Sequence, residues 1–264
     1  HMDSISHLIM LRVFDKGDDQ ESWDQRVSEQ TKFAGLLGKS LIPGESNARD
    51  WFDDKQIAWR FAHGLFLSSA GTALGLRHLY IGSSHTYENL FPWGSHVLTD
   101  PMWSTESTKI FHDGAACRRP KKILEILESP DVANNLQVCW KNIHQNCGAC
   151  PKCIRTMAAL YLMKSSVKSL PSLQNLSDLK SLVPTNEVSA ANLEDLIFLA
   201  KEVGDEKVYK ILKKNYNKYQ VGQLWSMVDK SLLGGNLRKL YRRLKKPKWL
   251  TLRVTLQSPS KGDL

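Results

Sequence analysis

Four of the five cysteines fall within fifteen residues, spaced Cys139-x7-Cys147-x2-Cys150-x2-Cys153. Four thiolates at such spacing suit one tetrahedral zinc ion, with Zn–S distances of about 2.3 Å. A Cys-x2-Cys step lets two sulfurs meet the ion across a tight turn, and Gly148 and Pro151 supply the turning residues. Cys153 opens the following helix, whose amino end favours thiolate charge. A closed set of four sulfurs leaves no position for water, so this zinc is expected to be structural. An iron–sulfur cluster, a group of reduced thiols, and His144 in place of one sulfur are the alternatives. Cys117 stands apart and reads as an ordinary buried thiol.

A second set of polar residues could do chemistry if the fold brings it together. Lys121 and Lys122, with Arg118 and Arg119, offer the cationic stabilisation that a phosphate needs. A solvated charged face is the equal alternative for the lysine pair. Glu106 and His112 could serve as acid or base, although a His beside an Asp is commonly a hydrogen-bonded structural residue. Asp15, Ser83, Ser84 and Tyr87 lie after apolar β-like runs and would face a ligand crevice, Asp15 having a turn or cap role as its alternative. Trp93 and Trp103 could cover a planar ligand or simply pack.

The elements that must position these residues follow from periodicity. Residues 5–14 read as a buried strand, 21–37 as a helix, 40–43 as a second strand, 55–74 as a helix and 78–81 as a third strand. This alternation predicts an α/β fold with a parallel sheet, helices on both faces, and a crevice at the strands' carboxyl ends. Residues 86–107 carry two prolines and no period, and a stretch of this length inside a domain is usually functional or mobile. A short strand at 108–111, a helix at 120–127 and a helix at 154–163 follow. Beyond Ser165 the chain turns polar and then helical, so 3–165 is expected to form the α/β domain with its knuckle at 139–153. Residues 166–264 are expected to form a helical, basic extension.

The strand ending in Phe14-Asp15, the Gly82-Ser83-Ser84 strand end and the cysteine knuckle resemble the 7-cyano-7-deazaguanine synthase group of the PP-loop ATP pyrophosphatases. The resemblance covers roughly residues 5–163. It implies a Rossmann-like sheet of the nucleotide α-hydrolase (HUP) type and a zinc knuckle bracing the active-site end. It also implies ATP with Mg2+: an acceptor is adenylated, pyrophosphate leaves, and a nitrogen nucleophile displaces AMP in a ligase-like step. On this reading Lys122, Arg118, His112 and Glu106 are catalytic, and Asp15, Ser83, Ser84 and Tyr87 hold the nucleotide. The stretches 92–96, 100–106 and 112–114 look like an uncharacterised branch, so the deazaguanine substrate is not carried over. The chain lacks the family's Ser-Gly-Gly-x-Asp-Ser phosphate loop. A non-catalytic module that binds nucleotide, RNA or protein is therefore the alternative.

Charge is unevenly spread: fifteen Lys/Arg and two acids lie from Lys207 onward, out of 36 and 27 in the chain. Residues 236–246 set an apolar stripe opposite a cationic face, which could dock on the domain, bind RNA, or rest on an anionic surface with Trp249 and Leu250. No apolar run approaches the roughly 18–20 residues needed to cross a bilayer, and no signal peptide is evident, so a cytoplasmic location is expected. His1-Met2 resembles a cloning remnant. The acceptor is expected to be a small molecule or peptide, with a homo-oligomer or partner subunit as a further expectation.

Overall fold

The computed structural model describes residues 2–13, 19–139, 141 and 144–236. The chain is α/β, with strands β1 (His7–Arg12), β2 (Ser40–Glu45), β3 (His78–Gly82) and β4 (Lys109–Asp113). Helices are α1 (Gln20–Leu36), α2 (Ala48–Asp54), α3 (Trp59–Ala73), α4 (Arg119–Leu127), α5 (Pro130–Asn134), α6 (Pro151–Leu162), α7 (Glu187–Glu202) and α8 (Glu206–Leu233). Every element expected from periodicity between residues 5 and 163 has a counterpart, with boundaries shifted by a few residues. The one division that periodicity missed is between α2 and α3. Gln56 adopts a left-handed φ of 57° there, which stops α2 and restarts the chain at Trp59.

Strand pairing is parallel, as the alternation requires, but it falls into two ladders. His7–Arg12 pairs with Ser40–Glu45 in register, and His78–Gly82 pairs with Lys109–Asp113. Among the described residues β1 does not pair with β3, so the expected continuous sheet is split into two-stranded halves. Parallel pairing needs a crossover, and α1 supplies it for the first ladder. The crossover to β4 is instead the long segment 83–108, which carries only a 3-10 turn at Asp100–Trp103.

The largest apolar core lies away from the strands. It joins Ile123 of α4, Cys153, Met157 and Leu160 of α6, Leu179, and Leu193, Leu196 and Leu199 of α7 with Val208 and Leu212 of α8. This core crosses residue 165, tying the helical extension to the segment that carries the cysteines. Asn186 begins α7 with a reciprocal capping pair with Ser189, and Asp205 caps α8 by accepting from Val208 N–H at 2.9 Å. The second half of α8 leaves Leu224, Trp225 and Val228 exposed. No helix among the described residues is long and apolar enough to cross a membrane. The basic stripe at 236–246 lies outside the described residues except for Asn236, as do Trp249 and Leu250.

Candidate functional site

The four cysteines predicted to share an ion are brought together: their sulfurs all lie within 4.8 Å of one another. Cys150 caps α6 and Pro151 occupies its first turn, so the Cys-x2-Cys step coincides with the helix start. Cys150 N–H donates to Cys147 Sγ at 3.3 Å, and Cys153 N–H donates to Cys150 Sγ at 3.4 Å. The Sγ–Sγ separations are 3.5 Å for Cys150–Cys153 and 3.9 Å for Cys139–Cys150. Thiolates about 2.3 Å from a tetrahedral ion sit about 3.8 Å apart, so the cluster fits a four-coordinate metal with little movement. His144 is exposed and not one of the clustered ligands.

The knuckle is held by Asn146. Its Oδ1 accepts from Val138 N–H and Cys139 N–H at 2.9 and 3.0 Å, and its Nδ2 donates to Leu136 O and Ser169 O, both at 2.8 Å. One side-chain amide thereby satisfies four backbone groups and fixes where Cys139 meets the other three sulfurs. Desolvation pushes the Cys153 thiol up to about 12, followed by its hydrogen bond with Cys150. Desolvation acts upward on Cys150 too, but its hydrogen bonds with the Cys153 N–H and thiol hold it below its ordinary value. A metal ion would displace the protons these sulfurs otherwise share.

The second site lies where β3 and β4 end. Ser83 follows β3, and its N–H donates to Asp113 O at the end of β4 at 2.7 Å, extending the ladder one residue past β3. Lys122, in the first turn of α4, donates from Nζ to Ser83 Oγ at 2.7 Å and to Ser83 O at 3.3 Å. Gly114 turns the chain between β4 and α4 with a φ of +83°, and a Cβ there would stand 3.2 Å from Lys122 Nζ. The left-handed backbone here favours glycine, and a side chain would also press on the lysine tip. Desolvation holds Lys122 below its ordinary pKa, and the neighbouring Arg119 guanidinium adds to the effect.

Ser84, His85, Thr86, Cys117, Arg119 and Lys122 line a small cleft closed on one side by Asn192 and Asp195 of α7. Its volume, ≈ 30 Å³, admits two or three water-sized groups at roughly 10–15 Å³ each. That is room for a compact oxyanion, not for a ring system. Two polar atoms of cleft-lining residues, His85 Nε2 and Thr86 Oγ1, are buried without a hydrogen-bond partner. Burial pushes Asp195 above the usual carboxylate range, opposed by bonds and charges from Arg119, Arg118 and Arg155.

The predicted residues divide. Ser83, Ser84 and Lys122 converge on the crevice. Arg118 caps α4 beside it, but its guanidinium is engaged by Glu88 and by Asp195 at 3.5 Å, and it covers the Phe198 ring. Tyr87 is anchored through its N–H to Ala115 O at 3.0 Å while its side chain is exposed. His112 turns away into a buried cluster: its Nδ1 meets Asp100 Oδ2 at 2.7 Å, and Asp100 also accepts from Ser95 Oγ and His96 N–H. That network pins residues 95–104 to β4 and gives His112 a structural partner in place of substrate access. Glu106 precedes β4, at the opposite strand end from the crevice and about 13 Å along a five-residue strand. Asp15 lies outside the described residues. Trp93 packs edge-on against His63 and His85, whereas Trp103 is exposed.

His85, Thr86, Asn192 and Asp195 were not anticipated. Asp195 stands next to Glu194 in Leu193-Glu194-Asp195-Leu196, and nothing local marks which of the two acids is buried. Cys117, expected to be an inert core thiol, instead lines the cleft. No protein-family model, no curated protein and no solved structure matches this chain.

Proposed function

We propose that this chain is a zinc-braced relative of the PP-loop ATP pyrophosphatases that binds the phosphates of Mg-ATP at the crevice between β3, β4 and α4. The observation that carries the reading is the bond from Lys122 Nζ to Ser83 Oγ beside Arg119 and the unpartnered Thr86 and His85 atoms. Lysine and arginine fixed at a helix amino end offer what a phosphate requires: preorganised donors and positive charge. The metal is read as zinc, because thiolates alone at this spacing suit a soft, four-coordinate ion with no vacant position.

In the reaction implied, an acceptor's carboxylate or carbonyl oxygen attacks the α-phosphorus of ATP, and pyrophosphate leaves. A nitrogen nucleophile then forms an amide-type bond at the activated carbon, and AMP leaves. Lys122 and Arg119 would stabilise the charge developing on the departing phosphates, while Ser83 and Thr86 would orient them.

A second reading is favoured by one feature. The sequence has no glycine-rich phosphate loop, and Gly234-Gly235, both left-handed, end a helix instead of starting one. The protein would then be a binding module for nucleotide, RNA or protein, without catalysis. Isothermal titration of Mg-ATP into the metal-replete chain separates the two when combined with an assay for AMP and pyrophosphate release. Binding that disappears in Lys122→Ala, with product release on some acceptor, supports the enzyme. Binding without release supports the module, and no binding at all overturns both nucleotide readings.

A further inference from the structure

One face of α8 is exposed along its whole length. Steps of three and four residues link Lys207, Lys210, Lys214 and Lys218 to Val221, Trp225, Val228 and Leu232, so all of them share a single track on the helix. Every one is exposed, as is Leu224 beside Trp225. The opposite face meets the core through Val208, Leu212 and Asn215, and beyond Asn215 only Asp229 is buried. The track is therefore cationic over its first half and apolar over its second. Among the described residues only Lys210 of these four lysines has an acidic partner, Glu206 at 3.6 Å. A helix face that meets water alone carries polar residues, whereas Trp225 and Leu232 stand 67% and 76% exposed. A contiguous apolar stripe of this kind marks a contact surface.

We propose that this face of α8 rests on an anionic lipid surface. The lysines meet headgroup phosphates, and Val221, Leu224, Trp225, Val228 and Leu232 enter the boundary with the acyl chains. Charge selects the occupant. Residues 237–264 carry nine Lys/Arg and one acid, the same sign as the track, so that segment does not complement it. A second copy of the chain likewise sets lysine against lysine. Nucleic acid satisfies the lysines through its phosphates but offers no apolar phase to the valines and leucines. An anionic bilayer presents both within one plane, and its attraction adds to that of the buried apolar area. A convex helix face lies on a plane along its length, where a protein partner needs a groove to receive it. Trp225 sits amid the apolar half, and indole favours the level between headgroups and hydrocarbon. The proposal does not depend on the nucleotide reading of the crevice.

The test sediments the full metal-replete chain with vesicles of phosphatidylcholine, alone or with about 30% phosphatidylglycerol. Binding is expected on the anionic vesicles only, and should weaken as salt rises. Leu224→Glu with Val228→Glu, and separately Lys214→Glu with Lys218→Glu, should each lower vesicle affinity at least about tenfold. All four side chains are exposed, so an unchanged melting temperature is expected and verifies folding. Brominated acyl chains should quench tryptophan emission less in Trp225→Phe than in the unaltered chain. Absence of binding to anionic vesicles overturns the proposal. Binding left intact by the Leu224 and Val228 changes also overturns it, and assigns the lipid contact to residues 237–264. A doubled mass without vesicles, abolished by the same changes, assigns the face to a second copy and overturns it. Single-stranded RNA binding that these changes remove, with no vesicle binding, assigns the face to nucleic acid and overturns it equally.

Discussion

Lys122 Nζ lies 2.7 Å from Ser83 Oγ, joining the first turn of α4 to the carboxyl end of β3. The contact is made by a partly desolvated ammonium beside the Arg119 guanidinium, so its pKa lies below 10.5 in the folded chain. The sign follows from proton counting: between the folded value and 10.5 the unfolded chain binds more protons at this lysine. Stability contributed here therefore rises with pH through the window just below 10.5, the penalty being full at neutral pH. An oxyanion in the cleft favours the charged form, so added phosphate should raise the Lys122 pKa, read by NMR titration of its Cε resonance. A titration curve unmoved by phosphate would argue against an anion site.

Metal removal should loosen the largest core, because Cys150 and Cys153 are themselves buried within it. Elemental analysis is expected to find one zinc per chain, and chelation to lower the melting temperature cooperatively. Before chelation a thiol reagent should titrate Cys117 alone; afterwards all five cysteines should react. Retention of full stability after complete stripping would contradict a bracing role.

Asn146→Ala removes four hydrogen bonds and orphans two amides and two carbonyls at the knuckle. The expected loss is about 2–4 kcal/mol in chemical denaturation. Metal affinity should weaken in parallel, since Cys139 is no longer held.

Gly64 packs against the backbone of Gly94, where an added Cβ would fall 1.9 Å from the carbonyl oxygen. Neither backbone can withdraw easily, because Gly94 N–H also donates to Arg60 O at 2.7 Å. Gly64→Ala should cost at least about 2 kcal/mol and free the segment 92–104 for proteolysis. Gly222→Ala, with open space at its Cβ, is the matched control and should be neutral or slightly stabilising.

Asp195→Asn should destabilise the chain by about 3 kcal/mol, since it leaves the partly buried Arg119 and Arg155 without the carboxylate beside them, Arg118 keeping Glu88. The same change should strengthen phosphate binding by removing the only carboxylate among the residues lining the cleft. Thermal unfolding and phosphate titration on one preparation give the two effects opposite signs.

The sequence by itself determined the local features: the cysteine cluster, the strand and helix alternation, and the strand-end serines. These are legible because cysteine spacing, a period of 2 or 3.6, and turn residues act over a few positions. The pairing of strands was not, because edges find partners through long-range contacts that no local pattern encodes. Hence a single sheet was expected and two ladders are found. The fate of each polar residue was likewise decided in three dimensions. His112 and Lys122 were both candidates in sequence, the first with a hydrogen-bonded structural role as its commoner alternative and the second with a solvated face as its equal one. Asp100 draws the first into a buried network, while Ser83 and Arg119 hold the second at the cleft. Asn192 and Asp195 reach that cleft from α7 because the largest core packs α4, α6 and α7 together across residue 165. Burial and partner choice are properties of packing, and only the tertiary structure supplies them.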